Sequence, residues 1–390
     1  MEEQPKLNQS KKYQFEFSGS GSEYFKIWIV NILLTIVTLY IYSAWAKVRS
    51  KRYFYGNTTI NGSAFEYHAK GSQLLPGRLI GLALIIMIAV GDAVFAGAAL
   101  IGYGLLFLLM PWAICRSTAF NAKVSSFRNV RFGFDGKVGR YYKYMFLLPL
   151  IPVALLALVA AALFFTGAVP PEALFALLPV GMLAMYAMFP LIQGKISAYS
   201  IGQSKYGTAD FETTIRARKF YSYYMKMMAI GLAVMVAVIA ATAAMISVSG
   251  ESFQAIAGEE AAMSSEMMAI LAIAYLLMMA GATFMRSYYR ARLRNYQFNN
   301  TILDTDMELQ STVTVKSLWV LELTNTLLAV FTLGLAYPWV AVRTARYMAA
   351  HTHINAKRTA DHFVADQNSK VSAVGEEIGD AFDMDIASGF

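Results

Sequence analysis

The stretch "YSAWAKVRSKRYFYGNTTINGSAFEY", residues 42–67, returns in altered form along the chain and decides how the protein is organised. A shift of 294 positions superposes twelve identical residues, which lie between Asn31 and Asn61 in the first copy. Shifts of 67 and then of a further 79 positions give two more copies, and a looser fifth copy lies at 288–296. Such self-similarity indicates a chain built from internal repeats.

The core of the repeated phrase is an aromatic residue, three residues, a basic residue, three residues and a second aromatic residue, and only the copy around Lys195 lacks the first aromatic residue. Positions four apart share one face of a helix, so the two rings and the cation form one stripe. Aromatic rings favour the headgroup level of a membrane, and long cations extend from there toward phosphate. The stripes predict that these residues bind a substrate or a lipid headgroup: Arg49, Arg116, Lys195, Arg292, Arg343, Trp45, Trp112 and Trp339.

A polar turn and a short strand follow these helix ends. The turn "GNTTING" precedes "AFEY" at 64–67, and "VRFGF" at 130–134 shows the alternation that is typical of a strand. The next membrane helix begins at once. The repeated unit is therefore helix end, turn, short strand and helix start, and "FEFSGSGSEYFK" at 15–26 supplies only its second half.

The composition is that of an integral membrane protein. Of the 390 residues, 57% are apolar and 15% are charged, whereas about 25% of the residues in a soluble domain are charged. Helical hairpins are predicted at 79–115, 145–193 and 227–285, because each run is long enough for two crossings of about 20 residues. The predicted fold class is mainly α: a polytopic membrane helix bundle with repeated helix, short strand and helix units on the cytoplasmic face.

The distribution of charge predicts the sidedness. None of the 33 Lys and Arg residues lies in the three hairpins, so the positive-inside rule places the repeated units in the cytoplasm. The apolar segments 25–46 and 317–340 conflict with this rule, because each joins two basic regions by a single stretch. Six crossings plus two bent, re-entrant segments remove the conflict, and Asn and Thr midway in both segments suit broken helices. Eight crossings by ordinary tilted helices are the alternative.

Three parts of the chain are predicted. Residues 1–24 form a cytoplasmic segment with a short strand, and residues 25–358 form the membrane domain. The first apolar segment lacks the small-residue pattern of a cleaved signal, so the amino terminus is expected to stay. Residues 359–390 carry many acidic and few aromatic residues, which predicts a disordered cytoplasmic tail.

Few residues suggest chemistry. Asp92 and Glu322 are the ionisable residues within apolar segments, and such groups are functional candidates because they are costly to bury. For Asp92, a proton or substrate role competes with a place among the outer headgroups. For Glu322, we favour pairing with a neighbouring Arg.

No enzyme activity, cofactor or metal is expected. The four histidines and the single cysteine, Cys115, do not form a set of ligands, and no catalytic motif appears. "HTH" at 351–353 would need ligands from Asp361 or His362 in the polar tail. Nucleic-acid binding is not expected either, because the net charge of +8 is spread over membrane-proximal turns, where anionic phospholipid is the nearer partner.

The stretch from "YQFEF" at residue 13 to "AFEY" at residue 67 resembles the YjgN-like family of bacterial inner-membrane proteins, known as a domain of unknown function. The match covers nearly all of residues 13–358, and "TLGLAYPW" at 332–339 is similar to the family as well. The resemblance implies an uncleaved, multi-pass protein of the bacterial inner membrane and supplies no catalytic residue. Tyr40 stands where the later copy has Gly334, so the two bent segments are not expected to flex alike.

Two functions are compatible with these features. The first is transport or handling of a lipid-like or amphipathic anionic molecule, since internal repeats with broken helices are a common plan for a pathway. The second is a non-catalytic membrane scaffold, whose strands pair into a cytoplasmic sheet that organises lipid or docks a partner. A continuous polar or wide cavity among the helices favours transport, and tight packing favours the scaffold. The small residues in "GDAVFAGAALIG" at 91–102 are also compatible with a homo-oligomer.

Overall fold

The computed structural model describes residues 11–249, 265–357 and 363–370. The chain divides into two compact units, of which the second comprises Arg218–Tyr296 and Thr312–Ala336 and the first comprises the remainder. Helix dominates both, as the sequence predicts. The described helices have these bounds: α1 Gly21–Val37, α2 Ser43–Gly56, α3 Gly71–Val90, α4 Ala98–Lys123, α5 Val138–Tyr142, α6 Leu148–Phe165, α7 Leu177–Gly202, α8 Ala217–Ser249, α9 Ser265–Asn299, α10 Val315–Phe331 and α11 Tyr337–Ala350.

Ten short strands close into one antiparallel barrel, which belongs entirely to the first unit. The sequence predicts the strands but not their closure, so the expectation of a cytoplasmic sheet is corrected to a barrel. Closure pairs every strand on both sides and leaves no free edge. The strands are β1 Lys11–Phe17, β2 Thr58–Ile60, β3 Ser63–Tyr67, β4 Ser125–Phe127, β5 Val130–Phe134, β6 Ser204–Tyr206, β7 Ala209–Thr213, β8 Thr301–Leu303, β9 Met307–Ser311 and β10 Thr352–Ala356.

The barrel consists of five pairs of strands, and the last pair is shared by the two ends of the chain. Four pairs are hairpins within one repeated unit, from β2–β3 to β8–β9. The fifth combines β10 with β1, and its register runs from Lys11 opposite Ala356 to Gln14 opposite His353. The half unit at the amino end thus completes the last repeat. Arg346 reinforces this closure, because its guanidinium donates to the carbonyl of Gly19 at 2.9 Å.

Aromatic and aliphatic side chains fill the barrel. Its buried cluster contains Tyr13, Ile60, Phe127, Val130, Tyr206, Ala209, Leu303, Met307 and Ala356. A second, partly buried set packs against this cluster: Phe15, Phe65, Phe132, Phe211, Leu309 and Ile354. The rings of Phe15 and Phe65 stack with centroids 5.9 Å apart. Such contacts add to the hydrophobic stabilisation of the strands.

Residues 363–370 form a short helix that packs on the barrel. Phe363 and Val364 are buried in the barrel cluster, and the Phe363 ring stacks on Tyr206 with centroids 6.2 Å apart. The side-chain oxygen of Gln367 accepts from the backbone N–H of Thr208 at 2.9 Å. The structure here differs from the predicted disordered tail, because the barrel offers apolar surface on which these two side chains are buried. The other residues of 359–390 lie outside the described part.

The segment 25–46 turns back on itself. Its helix stops at Thr38, whose hydroxyl accepts from the N–H of Tyr42, and Leu39 and Tyr40 adopt positive φ angles of 48° and 77°. The side-chain amide of Asn31 donates to the carbonyl of Ala46 at 3.4 Å, so α1 and α2 run side by side. The chain therefore leaves the barrel after β1 and returns to it at β2.

The segment 317–340 breaks in the same way. The hydroxyl of Thr332 accepts from the N–H of Ala336 at 3.1 Å, as Thr38 does in the first copy. Leu333 and Gly334 have φ angles of 49° and 86°. Tyr40 thus adopts the left-handed conformation that Gly334 adopts, although this conformation favours glycine.

Hydroxyl groups end five of the helices. The strand that follows each of these helices begins with Ser or Thr. The hydroxyl of this residue donates to the carbonyl four residues earlier at 2.6–2.8 Å. These bonds satisfy carbonyls that a helix end leaves without an intrahelical partner. The five donors each follow the second aromatic residue of a repeat by five positions: Thr58, Ser125, Ser204, Thr301 and Thr352.

Candidate functional site

The five predicted cations all have exposed side chains, and each lies near the end of a helix that is followed by a strand of the barrel. The Arg292 guanidinium lies 5.9 Å from the centre of the Tyr288 ring, so this copy has the predicted stacking of a cation on a ring. The others lie on α2, α4, α7 and α11 at equivalent positions: Arg49, Arg116, Lys195 and Arg343. Headgroup binding by these residues stays a prediction.

Two of the three predicted tryptophans lie flat against a glycine at the start of a neighbouring helix. A Cβ atom on Gly71 would lie 2.5 Å from the Trp45 ring, and one on Gly21 would overlap the Trp339 ring. Trp45 and Trp339 nevertheless stay exposed by 38% and 41%. Trp112, in the second copy, is exposed by 43%. Each indole therefore has surface available to a lipid or ligand.

Asp92 has a structural partner. It lies in the turn Gly91–Ala93 between α3 and α4, and its carboxylate accepts from the N–H of Ala99 at 3.0 Å. Ala99 is in the first turn of α4, where an unpaired N–H favours a carboxylate. This contact assigns Asp92 a capping role.

Glu322 is buried and pairs with arginine, which is the interpretation favoured from the sequence. Its carboxylate accepts from Arg290 at 2.8 Å and from the Ser287 hydroxyl at 2.8 Å. Arg286 lies 3.9 Å away. The hydrogen bonds and the pairing compensate the cost of burying the charge.

The structure shows a cluster of three cations between α2 and α3 that the sequence analysis did not predict. Lys47 and Lys51 lie one turn apart on α2, and Arg78 lies on α3. The Arg78 guanidinium donates to the Tyr40 hydroxyl at 2.9 Å, and the Lys51 ammonium donates to the Asn121 side-chain oxygen at 2.5 Å. Within the described ranges, none of the three cations forms an ion pair with a carboxylate.

The electrostatics of this cluster follow from the closeness of its cations. The pKa of Lys47 is lowered mainly by partial removal from water and, to a smaller extent, by repulsion from Arg78. The pKa of Lys51 is lowered mainly by removal from water and, to a smaller extent, by repulsion from Lys47. The Lys51 ammonium also lies 4.9 Å from the centre of the Tyr67 ring. Burial raises the pKa of Tyr67 to about 12, so this phenol stays neutral. An anion placed here would relieve the repulsion among the cations.

No group of three metal-ligating side chains occurs among the described residues. His353 is buried in the barrel wall, and the ring of His351 contacts the carbonyl of Tyr347 at 2.8 Å. Asp361 and His362, the further ligands considered from the sequence, lie outside the described residues, as do Glu251, Glu259 and Glu260 of the acidic loop.

Six described helical segments are long and apolar enough to cross a membrane: Gly71–Ala93, Ala98–Lys123, Val138–Phe165, Glu172–Gly202, Ala217–Val248 and Ser265–Asn299. They coincide with the three predicted hairpins. Together with the repeated units and the barrel, they define a helical membrane protein that carries a closed ring of short strands. Residues 12–381 match the family described as "Bacterial protein of unknown function (DUF898)", and the chain belongs to this family.

The relatives agree with the predicted resemblance. The chain is 27% identical over 351 residues to "Inner membrane protein YjgN" of Salmonella typhimurium, and the alignment covers 87% of both chains. It is 33% identical over 142 residues to the protein of the same name from Escherichia coli K12, which covers 36% of this chain and 35% of that one. No solved structure matches the chain.

Proposed function

We propose that the protein handles an anionic, lipid-like molecule where its helices meet the barrel, on the cytoplasmic side of the inner membrane. The observation that carries the proposal is the fivefold repetition of a helix end that exposes a cation. Three of these ends also expose a tryptophan ring. A cation and an indole on one stripe suit a phosphate and the adjoining glycerol or acyl carbons.

The placement of the basic units supports the cytoplasmic side. The cations lie in the repeated units, and the three long hairpins lack Lys and Arg between 79–115, 145–193 and 227–285. The turned-back segment at 25–46 supports the alternative with six crossings, because it brings its two basic flanks to the same end.

The apolar barrel interior supports binding at the helix surface. Aromatic and aliphatic residues pack its core, and residues Phe363 and Val364 are buried against that core. Most positions of the six apolar segments are exposed. Lipid is the natural cover for such helices, since their surface is as apolar as the acyl chains.

A scaffold function without lipid handling is the second candidate, and the closed barrel favours it. A barrel without free edges is a stable platform on which a partner can dock. Neither candidate requires enzyme activity, because the helix ends supply mainly Arg and Tyr and lack paired carboxylates for acid–base catalysis.

Lipid analysis of the purified protein separates the two candidates. The wild type should be enriched in one anionic lipid class relative to the membrane of origin. The double variant Arg49→Gln and Arg343→Gln should lose at least half of this enrichment, more than the two single variants together. Lys226→Gln is the control, since Lys226 is an exposed cation on α8 that belongs to no repeated stripe. A wild-type lipid composition equal to that of the bulk membrane would contradict lipid handling and favour the scaffold.

A further inference from the structure

Pairs of helices that hold equivalent places in the repeats pack against each other along a line that we call a seam. One helix ends at a strand pair and the other begins after that pair, as α2 and α3 do around β2–β3. Helices α9 and α10 are the equivalent pair around β8–β9. Helices α11 and α1 are the equivalent pair around the shared strands β10 and β1.

Strand positions fix which residues are equivalent in these seams. Strand β2 corresponds to β8 at an offset of 243, and β3 corresponds to β9 at an offset of 244. Lys47 and Lys51 of α2 then correspond to Arg290 and Arg294 of α9. Arg78 of α3 corresponds to Glu322 of α10. In the seam of α11 and α1, the same three positions are Ala341, Ala345 and Trp28.

The three seams differ in the charge of the residues at these equivalent positions. In the seam of α9 and α10, Glu322 accepts a hydrogen bond from Arg290 at 2.8 Å and so offsets one of the positive charges. In the seam of α11 and α1, Ala341 and Ala345 pack against an apolar cluster. In the seam of α2 and α3, a third cation replaces the acid. A counter-charge is therefore expected from outside the described chain, because three neighbouring cations repel one another.

We infer that Lys47, Lys51 and Arg78 form a binding site for a phosphoryl anion, carried by a lipid headgroup or present as free phosphate. The inference rests on the proposed function and names the place where the headgroup binds. Two ammonium groups and a guanidinium fork together offer several charged donors, which is the chemistry that recognises phosphate.

Neighbouring side chains hold two of the cations, and exposed apolar surface lies beside the cluster. Lys51 donates one hydrogen bond to Asn121, and Arg78 donates one to Tyr40, so each of these two cations has further donors for a ligand. Tyr40 lies in the turn between α1 and α2, where Leu39 is exposed by 82%. Apolar surface next to a cation site suits an amphiphile.

The test compares variants that keep the fold but change the charge of the seam. Arg78→Glu places an acid where the equivalent seam has Glu322, so it should pair with the lysines and preserve folding. Lys47→Gln with Lys51→Gln removes two cations. Lys226→Glu reverses an exposed charge on α8, outside the repeated stripes, and serves as the control. Native mass spectrometry measures the binding of phosphatidylglycerol and phosphatidylcholine, and melting temperature reports the effect of inorganic phosphate.

We expect the wild type to prefer phosphatidylglycerol and Arg78→Glu to bind it at least tenfold more weakly, since hydrogen bonds to charged groups contribute on this scale. The control should bind as the wild type does. Stabilisation of the wild type, but not of Arg78→Glu, by inorganic phosphate would show that free phosphate also occupies the site. Equal losses in Arg78→Glu and the control would overturn the site while leaving the proposed function. Absence of any preference for the anionic lipid would overturn both.

Discussion

Replacing Gly71 by alanine should destabilise the protein, whereas the same change at Gly77 should not. Both glycines lie on α3. A Cβ atom on Gly71 would lie 2.5 Å from the Trp45 ring, but one on Gly77 would meet no atom within 4 Å. A glycine-to-alanine change in a helix contributes about 0.5–1 kcal/mol of stability. Forcing an overlap with a packed ring costs about 1–3 kcal/mol. Since both variants gain the alanine contribution, they should differ by the cost of the overlap, about 1–3 kcal/mol in apparent free energy of unfolding.

Unfolding in detergent, followed by intrinsic fluorescence, measures this difference. Trp45→Ala in the Gly71→Ala background removes the overlap, so the double variant should be more stable than the sum of the two single effects predicts. The Gly71→Ala variant should also retain less anionic lipid, because the displaced indole no longer lies beside the helix end. Equal stability of Gly71→Ala and Gly77→Ala, or additive effects of Gly71→Ala and Trp45→Ala, would refute the assignment of Trp45 as a ring fixed against α3.

Three further predictions concern the barrel and its closure. Arg346→Ala should destabilise the pairing of the chain ends by about 1–3 kcal/mol, because the Gly19 carbonyl loses a charged donor; faster hydrogen exchange in 11–17 would report it, and unchanged exchange would count against it. Gln367→Ala should release residues 363–370, seen as faster cleavage by a protease there, with Lys370→Ala as the control. Ser125→Ala should lower stability by about 1 kcal/mol, because the hydrogen bond to the Asn121 carbonyl is lost. An unchanged melting temperature would contradict this role of the hydroxyl.

The sequence predicts the repeated unit well because its determinants are local. The stripe of aromatic and basic residues, the polar turn and the alternating strand all lie within about 25 residues of one another. The three hairpins follow from long apolar runs, and six segments of the structure coincide with them. Closure of the strands into a barrel is a long-range property, because Lys11 must pair with Ala356 across nearly the whole chain. Periodicity within one segment carries no information on such a pairing.

The candidate site was harder to predict than the fold. The stripe of aromatic and basic residues predicts Arg49 and its equivalents. Lys47 and Lys51 lie on a different face of the same helix, and Arg78 precedes the apolar run by one residue. Aligning the repeats across the turn, where one copy has an extra residue, superposes Arg78 on Glu322 and reveals the exchange of charge. Glu322 and Asp92 illustrate the opposite case. Their residue types suggest function, but the neighbours that decide the matter, Arg290 and Ala99, are visible only in three dimensions.

Mapping the contact of an anionic lipid in intact membranes tests the account most directly. A phosphatidylglycerol analogue with a photoreactive headgroup, activated in membranes that contain the full chain, should label α2 and the first turns of α3, around Lys47, Lys51 and Arg78. The Arg78→Glu variant should show at least tenfold less labelling there, with labelling elsewhere unchanged. Even labelling of all helix ends, unaffected by Arg78→Glu, would contradict a headgroup site in the seam of α2 and α3.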